Sequence, residues 1–167
     1  MSLRQRLNAQ HEPAASETPD DVGDPGNSQA SHEHFRTQIL PSQVARAWSD
    51  VEALRAVLAL GLREGCADLL ADAARRLRDI DADARTAVLL EAFVLIENGS
   101  GAEAERNLLQ HMGHHGDDPD LLATLADAYW IQGKSGLARR VLHDVLAVDP
   151  ANDGALWRLE EYFGSAA

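Results

Sequence analysis

A run of histidines followed by aspartates supplies the residue types of a metal site. The run comprises His111, His114 and His115, then Asp117 and Asp118. Imidazoles three and four residues apart can share a Zn²⁺ or Ni²⁺ ion, and a carboxylate can complete the coordination. The glycines in this stretch predict a surface loop without rigid support. We therefore interpret the run as a polar connector and expect no native metal ion.

The glycine-rich segments and the single cysteine, which could in principle bind phosphate or act as a nucleophile, are better explained by structural roles. The glycine-rich segments 99–101 and 133–136 follow no predicted strand, as a phosphate-binding loop would require. Cys66 stands near a predicted helix start, where the helix dipole can lower a thiol pKa, but no base is evident beside it. As the only cysteine, it excludes an intramolecular disulfide. We expect a buried structural thiol, no cofactor and no enzymatic activity.

Composition and net charge limit the classes of partner that the chain is expected to bind. The 167 residues carry a formal net charge of −12, which disfavours binding to nucleic acid. The densest basic cluster is Arg75, Arg76 and Arg78, and aspartates flank it closely. The sequence contains no run of 18 uninterrupted apolar residues, so we expect no membrane span. Residues 1–10 lack the apolar segment of a secretory signal, so we expect a cytoplasmic protein.

The chain divides into two regions of different composition. From Ala9 to His34 the only large aliphatic residue is Val22, and the charged residues are all acidic. Such a segment cannot bury enough apolar surface to offset an ordering cost of about 1–2 kcal/mol per residue. We therefore predict a disordered acidic tail over residues 1–38 and an ordered domain over residues 39–167.

The ordered domain has the apolar spacing of helices throughout. Pro41 suits the first turn of a helix, and Ser49 to Glu52 has the spacing of a capping box. Asp81, Asp83 and Asn152 are candidate caps for later helices. The pattern predicts an all-α fold, with helices near residues 51–63, 67–80, 85–97, 102–112, 119–132, 137–148 and 153–163. In the second of these the residues expected to face inward are Leu69, Leu70, Ala73, Ala74 and Leu77.

A period of 34 residues runs through these helices. It relates Gly65, Gly99 and Gly133, and it also relates Ala104 to Ala138. The glycines suit a left-handed turn between two helices, and the small alanines permit close helix approach. A single helical hairpin would leave one apolar side exposed, whereas stacked hairpins cover it. A plain bundle of three or four helices with accidental spacing is the alternative.

The repeat resembles the tetratricopeptide repeat (TPR) family over about 115 residues. The unit 119–152 matches best, through Leu122, Leu125, Ala126, Tyr129, Gly133, Ala138, Leu142, Leu146 and the closing Asp149-Pro150. The unit 85–118 departs from the pattern by Glu91, where a core leucine is usual, and by Gly116 in place of the closing proline. The unit 51–84 is degenerate, with Leu70 where a small residue is expected, which predicts a rotated or shifted second helix.

The resemblance implies a right-handed superhelix of about three hairpins with a capping helix over residues 153–163. The first helices of the hairpins would line a concave groove that binds a peptide or helix. The implied groove residues are Arg55, Leu62, Leu89, Phe93, Ile96, Asp127, Trp130, Ile131 and Trp157. The alternative is that the last helix or the N-terminal segment covers these side chains.

The implied function is protein binding without catalysis. The family's clamp for carboxy-terminal carboxylates uses basic and Asn side chains, and of the matching positions here only Arg55 is basic, so that subtype is not expected. Small acidic TPR proteins of this length resemble adaptors and bacterial secretion chaperones. The competing expectation is a structural subunit that assembles with itself or with a larger complex, and a weak homodimer fits either.

Overall fold

A computed structural model of the chain describes residues 25–164, and every regular element within that range is a helix. Helix α1 (Pro25–His34) continues through a π-helical turn (Phe35–Ile39) into α2 (Leu40–Ala47). The later helices are α3 (Val51–Arg63), α4 (Ala71–Ile80), α5 (Ala84–Glu97), α6 (Gly101–His115), α7 (Pro119–Ile131), α8 (Ser135–Val148) and α9 (Asp153–Phe163), with a short 3₁₀ turn (Ala67–Leu69) before α4. The predicted all-α class is confirmed for this part of the chain.

The N-terminal helix replaces part of the predicted tail. The expectation of disorder is wrong for residues 25–38, which are helical, and residues 1–24 lie outside the described residues. Contacts distant in sequence hold this helix in place. Arg36 forms an ion pair with Asp68 at 2.7 Å, and His32 Nε2 donates to the carbonyl of Glu64 at 2.9 Å. Phe35 packs against the buried core, which local composition does not reveal.

The three turns predicted from glycine share one hydrogen-bond pattern. Gly65, Gly99 and Gly133 have φ values of 72°, 75° and 74°, the left-handed conformation expected from the sequence. Each glycine N–H donates to the carbonyl three residues earlier, and the following N–H donates to the carbonyl five residues before it. This is the Schellman motif, which satisfies the last carbonyls of a helix. The 34-residue period is therefore a structural period as well.

The N-terminal ends of helices α3, α5, α7 and α9 are capped by side chains. Asp50, Asp83, Asp118 and Asn152 each accept a hydrogen bond from a backbone N–H of the first turn. The cap of α3 is Asp50, one residue after the serine of the predicted capping box. These caps recur at intervals close to 34 residues and fix where each of these helices begins.

The helices are arranged in consecutive hairpins. From α2 onward each helix packs against the next, and α3, α5, α7 and α9 also pack against one another in order. We call these four the A helices, and α4, α6 and α8 the B helices. The core consists of two clusters of buried side chains. Helix α5 contributes to both, with Val94 in the first cluster and Ala92 in the second.

The first hairpin departs from the other two at its second helix. Helix α4 begins at Ala71, after the 3₁₀ turn, and not near residue 67 as predicted. Leu70 is fully buried, whereas Leu69, predicted to face inward, is 43% exposed. A Cβ atom added to Gly61 would lie 2.9 Å from Leu70 Cδ1, so Leu70 packs directly on the backbone of α3. This packing explains why the second helix of the first hairpin is shifted, as the large residue at position 70 predicted.

Candidate partner-binding face

The predicted groove residues occupy equivalent register positions of the four A helices, and the structure gives them different environments. In α3, Leu62 is 2% exposed and belongs to the first core cluster, so it cannot contact a partner. Arg55 is partly exposed, and its guanidinium donates to Asp81 at 2.7 and 2.5 Å and to Glu52 at 3.0 Å. Hydrogen bonding to Asp81 raises the pKa of Arg55. Its charge is therefore already neutralised within the chain.

The three predicted groove residues on helix α5 are partly exposed apolar side chains. Phe93 packs against the first core cluster, and Leu89 and Ile96 pack against the second. They are held by core contacts on one side and accessible to solvent on the other. Glu97, at the end of the same helix, is exposed and acidic. This helix therefore has partly exposed apolar side chains and, at its end, an exposed carboxylate.

Helix α7 forms one end of the predicted groove face, and α9 covers most of this end. Asp127 is 2% exposed, and it accepts hydrogen bonds from Arg158 at 2.7 and 2.8 Å and from the Tyr162 hydroxyl. Asp127 therefore fixes α9 and is not available to a partner, which corrects its predicted role. The alternative weighed from the sequence, that the last helix covers groove residues, holds at this position.

An aromatic cluster joins the same two helices. Trp130 stacks on Tyr162 with ring centroids 4.6 Å apart and an interplanar angle of 5°, and the centroids of Trp130 and Phe163 lie 5.3 Å apart in a T-shaped arrangement. Trp157 meets Tyr162 edge-on at 6.5 Å. Such offset and edge contacts are favourable beyond the area they bury. Trp130 and Trp157 are thus partly buried packing residues, whereas Ile131, also predicted to line the groove, is 42% exposed.

Sequence reasoning missed Arg158 and Tyr162 as the partners that cover this end. Both lie about one repeat beyond Asp127, in the corresponding A helix. The available signal was Asp127 itself, an acidic residue at a groove-facing register position, which requires a charged or polar partner if another helix covers it. The same reasoning applies to Glu91, which is 3% exposed and accepts from Arg78 Nη1 at 2.8 Å.

The histidine run differs from its predicted form. Helix α6 extends to His115, so His111 and His115 are helical, and Gly116 with φ 89° ends the helix. Burial lowers the pKa of His111. Among residues 25–164 no group of three or more His, Cys, Asp or Glu side chains is arranged to hold a metal ion. Cys66 is buried as predicted, and burial raises the pKa of its thiol.

Comparison of the chain with known proteins found no relative. The chain matches no family model, no curated protein and no solved structure. Within the residues that the structure describes, no helix is long and apolar enough to cross a membrane.

Proposed function

We propose that this protein is a TPR-like repeat protein whose A helices form the inner side of a right-handed superhelix and bind a protein partner without catalysis. Three Schellman turns at 34-residue intervals support this arrangement. So does the continuous packing of α3 on α5, α5 on α7 and α7 on α9. An adaptor or chaperone role follows from this proposal, and the cytoplasmic setting and the exclusion of nucleic acid stay predictions.

The observation that carries the proposal is the apolar edge of α5. Leu89, Phe93 and Ile96 are partly exposed although their helix is packed on both sides. Because Leu62 and Asp127 are buried and Trp130 is stacked on Tyr162, we centre the binding face on α5 and extend it to Arg55 and Ile131. Apolar side chains inside a polar border are typical of peptide-binding surfaces.

The charge of the border indicates the chemistry of the partner. The exposed acidic residues Glu52, Glu97 and Asp120 lie on α3, α5 and α7, and Glu52 and Asp120 also form ion pairs with Arg55 and Arg85. A segment with apolar anchors and flanking lysines or arginines would complement this face. Attraction between exposed charges weakens with salt, so binding should weaken as ionic strength rises.

A charge reversal on the face tests this. We would capture partners from the host with the full chain, identify them, and measure the affinity of the purified partner for Glu97→Lys. The matched control is Asp144→Lys on the B helix α8, an equal change of charge at an exposed site. The proposal requires Glu97→Lys to weaken binding markedly more than the control. Equal effects of the two variants would place the partner elsewhere.

Self-association is the second candidate function, and the last hairpin favours it. Val148, at the end of α8, is 81% exposed, and Leu156 on α9 is 45% exposed. Terminal units of helical repeats ordinarily present a polar outer surface. Light scattering during gel filtration, with wild type and Val148→Asp, distinguishes the two functions. An assembly subunit would be oligomeric, and the variant would dissociate it, whereas a partner-binding module stays monomeric or weakly dimeric.

A further inference from the structure

The first ten residues of the chain have the chemistry that the proposed face would select in a partner. Leu3 and Leu7 are four residues apart, and Arg4 and Arg6 lie between them. The next arginine or lysine along the chain is Arg36. Two leucines at this spacing would share one side of a helix formed on binding, with a basic residue beside each.

Helix α1 and the end of α5 contact the same segment between α3 and α4. His32, on α1, donates to the Glu64 carbonyl at 2.9 Å. Asn98, directly after α5, donates to the Ala67 carbonyl at 3.0 Å. Asn98 follows Glu97, the exposed carboxylate at the end of α5. Helix α1 therefore lies near one end of the proposed binding face.

The chain that precedes α1 is long enough to reach this face. Residues 8–24 connect Leu7 to the start of α1 and number 17. A chain of this length spans up to about 60 Å when extended. A compact domain of about 140 residues has a radius of gyration of about 14 Å. Contact between Leu7 and α5 is therefore not limited by distance.

The charges at both ends of α5 favour a basic occupant. Near the start of α5, carboxylates outnumber the guanidinium groups with which they pair. Arg55 lies within 3.6 Å of three carboxylates and Arg85 of two, which belong to Glu52, Asp81 and Asp83 and to Asp118 and Asp120, respectively. Glu97 is exposed at the other end of the helix. The ion pairs thus leave an excess of negative charge, which attracts a segment whose charged residues are all arginines.

We propose that the segment from Leu3 to Leu7 binds the apolar edge of α5 in the same chain and competes there with the partner. The two leucines are the apolar anchors, and the two arginines between them are attracted by the carboxylates. The inference rests on the proposed function and names an occupant that regulates access to its binding face. A segment tethered by a short linker has an effective concentration of about millimolar, so even a weak contact keeps the face occupied for much of the time.

Amide NMR of the full chain without a partner tests the contact directly. The double variant Leu3→Ser, Leu7→Ser removes both anchors, so the amide resonances of the apolar edge of α5 should shift relative to wild type. Arg4→Glu, Arg6→Glu should shift the same resonances, because it replaces attraction by repulsion. The matched control is Val22→Ser, a similar truncation in the connecting residues, and it should leave these resonances unchanged. Circular dichroism establishes that each variant retains its helices.

Partner affinity tests the competition. If the segment occupies the face half of the time, the partner's Kd is doubled. The variant Leu3→Ser, Leu7→Ser should therefore bind the captured and purified partner at least about twofold more tightly than wild type, and Val22→Ser should bind with the wild-type Kd. Equal affinity of wild type and the leucine variant would overturn the competition.

The NMR result separates this contact from the proposed function, because it requires no partner. Resonances of α5 that respond to neither double variant overturn the contact, even where a partner binds α5. Resonances that respond support it, even where Phe93→Ala leaves partner binding unchanged and the proposed function fails. Shifts that appear only as the protein concentration rises would assign the segment to the face of a second copy and overturn the proposal.

Discussion

Leu70 packs on the bare backbone of Gly61, with its Cδ1 atom within 2.9 Å of the point where a Cβ would lie. One and two repeats later the corresponding pairs are Leu95 with Ala104 and Tyr129 with Ala138. In those pairs the large residue belongs to the A helix and the small one to the B helix. The first hairpin reverses the assignment and keeps a large side chain opposite a small one.

A double-mutant cycle tests this pair. Leu70→Ala removes a fully buried side chain and should destabilise the fold by about 2–5 kcal/mol. Gly61→Ala forces a methyl group against Leu70 and should cost about 1–3 kcal/mol. In the double variant the new methyl group occupies space that Leu70 vacates, so urea denaturation should give a loss well below the sum. Strict additivity would show that the two residues do not pack on each other.

Close helix approach in the third hairpin depends on Ala138. This residue is fully buried between α7 and α8, and a larger side chain there would overpack the core. Ala138→Leu should lower the free energy of unfolding by about 1–3 kcal/mol. Ala147→Leu, at an exposed position of the same helix, is the matched control and should be nearly neutral. Equal stability of the two variants in urea melts would contradict the repeat register.

Burial of Glu91 makes stability depend on pH. Burial raises the pKa of this carboxyl group despite its ion pair with Arg78. The folded state therefore holds the proton more tightly than the unfolded chain. The stability that this provides is fully present below the unfolded pKa and is lost as the pH rises through the folded pKa.

Glu91→Gln removes this ionisation. Its stability relative to the wild type should increase as the pH rises from below the ordinary pKa of a glutamate, about 4, through the raised pKa of the folded state. Glu160→Gln, at an exposed position of α9, provides the comparison and should show a smaller trend. The measurement is thermal unfolding at several pH values. A difference between Glu91→Gln and wild type that is constant with pH would be inconsistent with the raised pKa.

The sequence predicted those features that depend on local chemistry. The turn glycines were identifiable because a positive φ favours glycine, and Asn152 because a cap needs a side-chain acceptor next to the first helical turn. The register of the second and third hairpins followed from Ala104 and Ala138, both of which are fully buried.

Features that depend on distant pairing were not predictable in the same way. The N-terminal helix is held by Arg36 and Asp68, 32 residues apart in the chain, although its own composition is polar. The covering of Asp127 by Arg158 depends on how one A helix lies against the next. In each case the sequence contained both partners, but no local pattern showed that they would meet.

The central claim is that a partner binds the A-helix face at α5. Phe93→Ala removes an aromatic edge that is partly exposed there, and Leu109→Ala is an apolar truncation at an exposed position of the B helix α6. Thermal melts establish that each variant is folded. Should Phe93→Ala fail to fold, Ile131→Ala replaces it, because Ile131 is a predicted groove residue that is 42% exposed.

The deciding measurement is the calorimetric affinity of the captured and purified partner for these two variants. Truncation of an aromatic anchor typically costs about 2 kcal/mol or more of binding free energy, so Phe93→Ala should bind at least about 30-fold more weakly than wild type. Leu109→Ala should bind with the wild-type Kd. A folded Phe93→Ala variant that binds as tightly as wild type would contradict the account, as would a larger loss from Leu109→Ala.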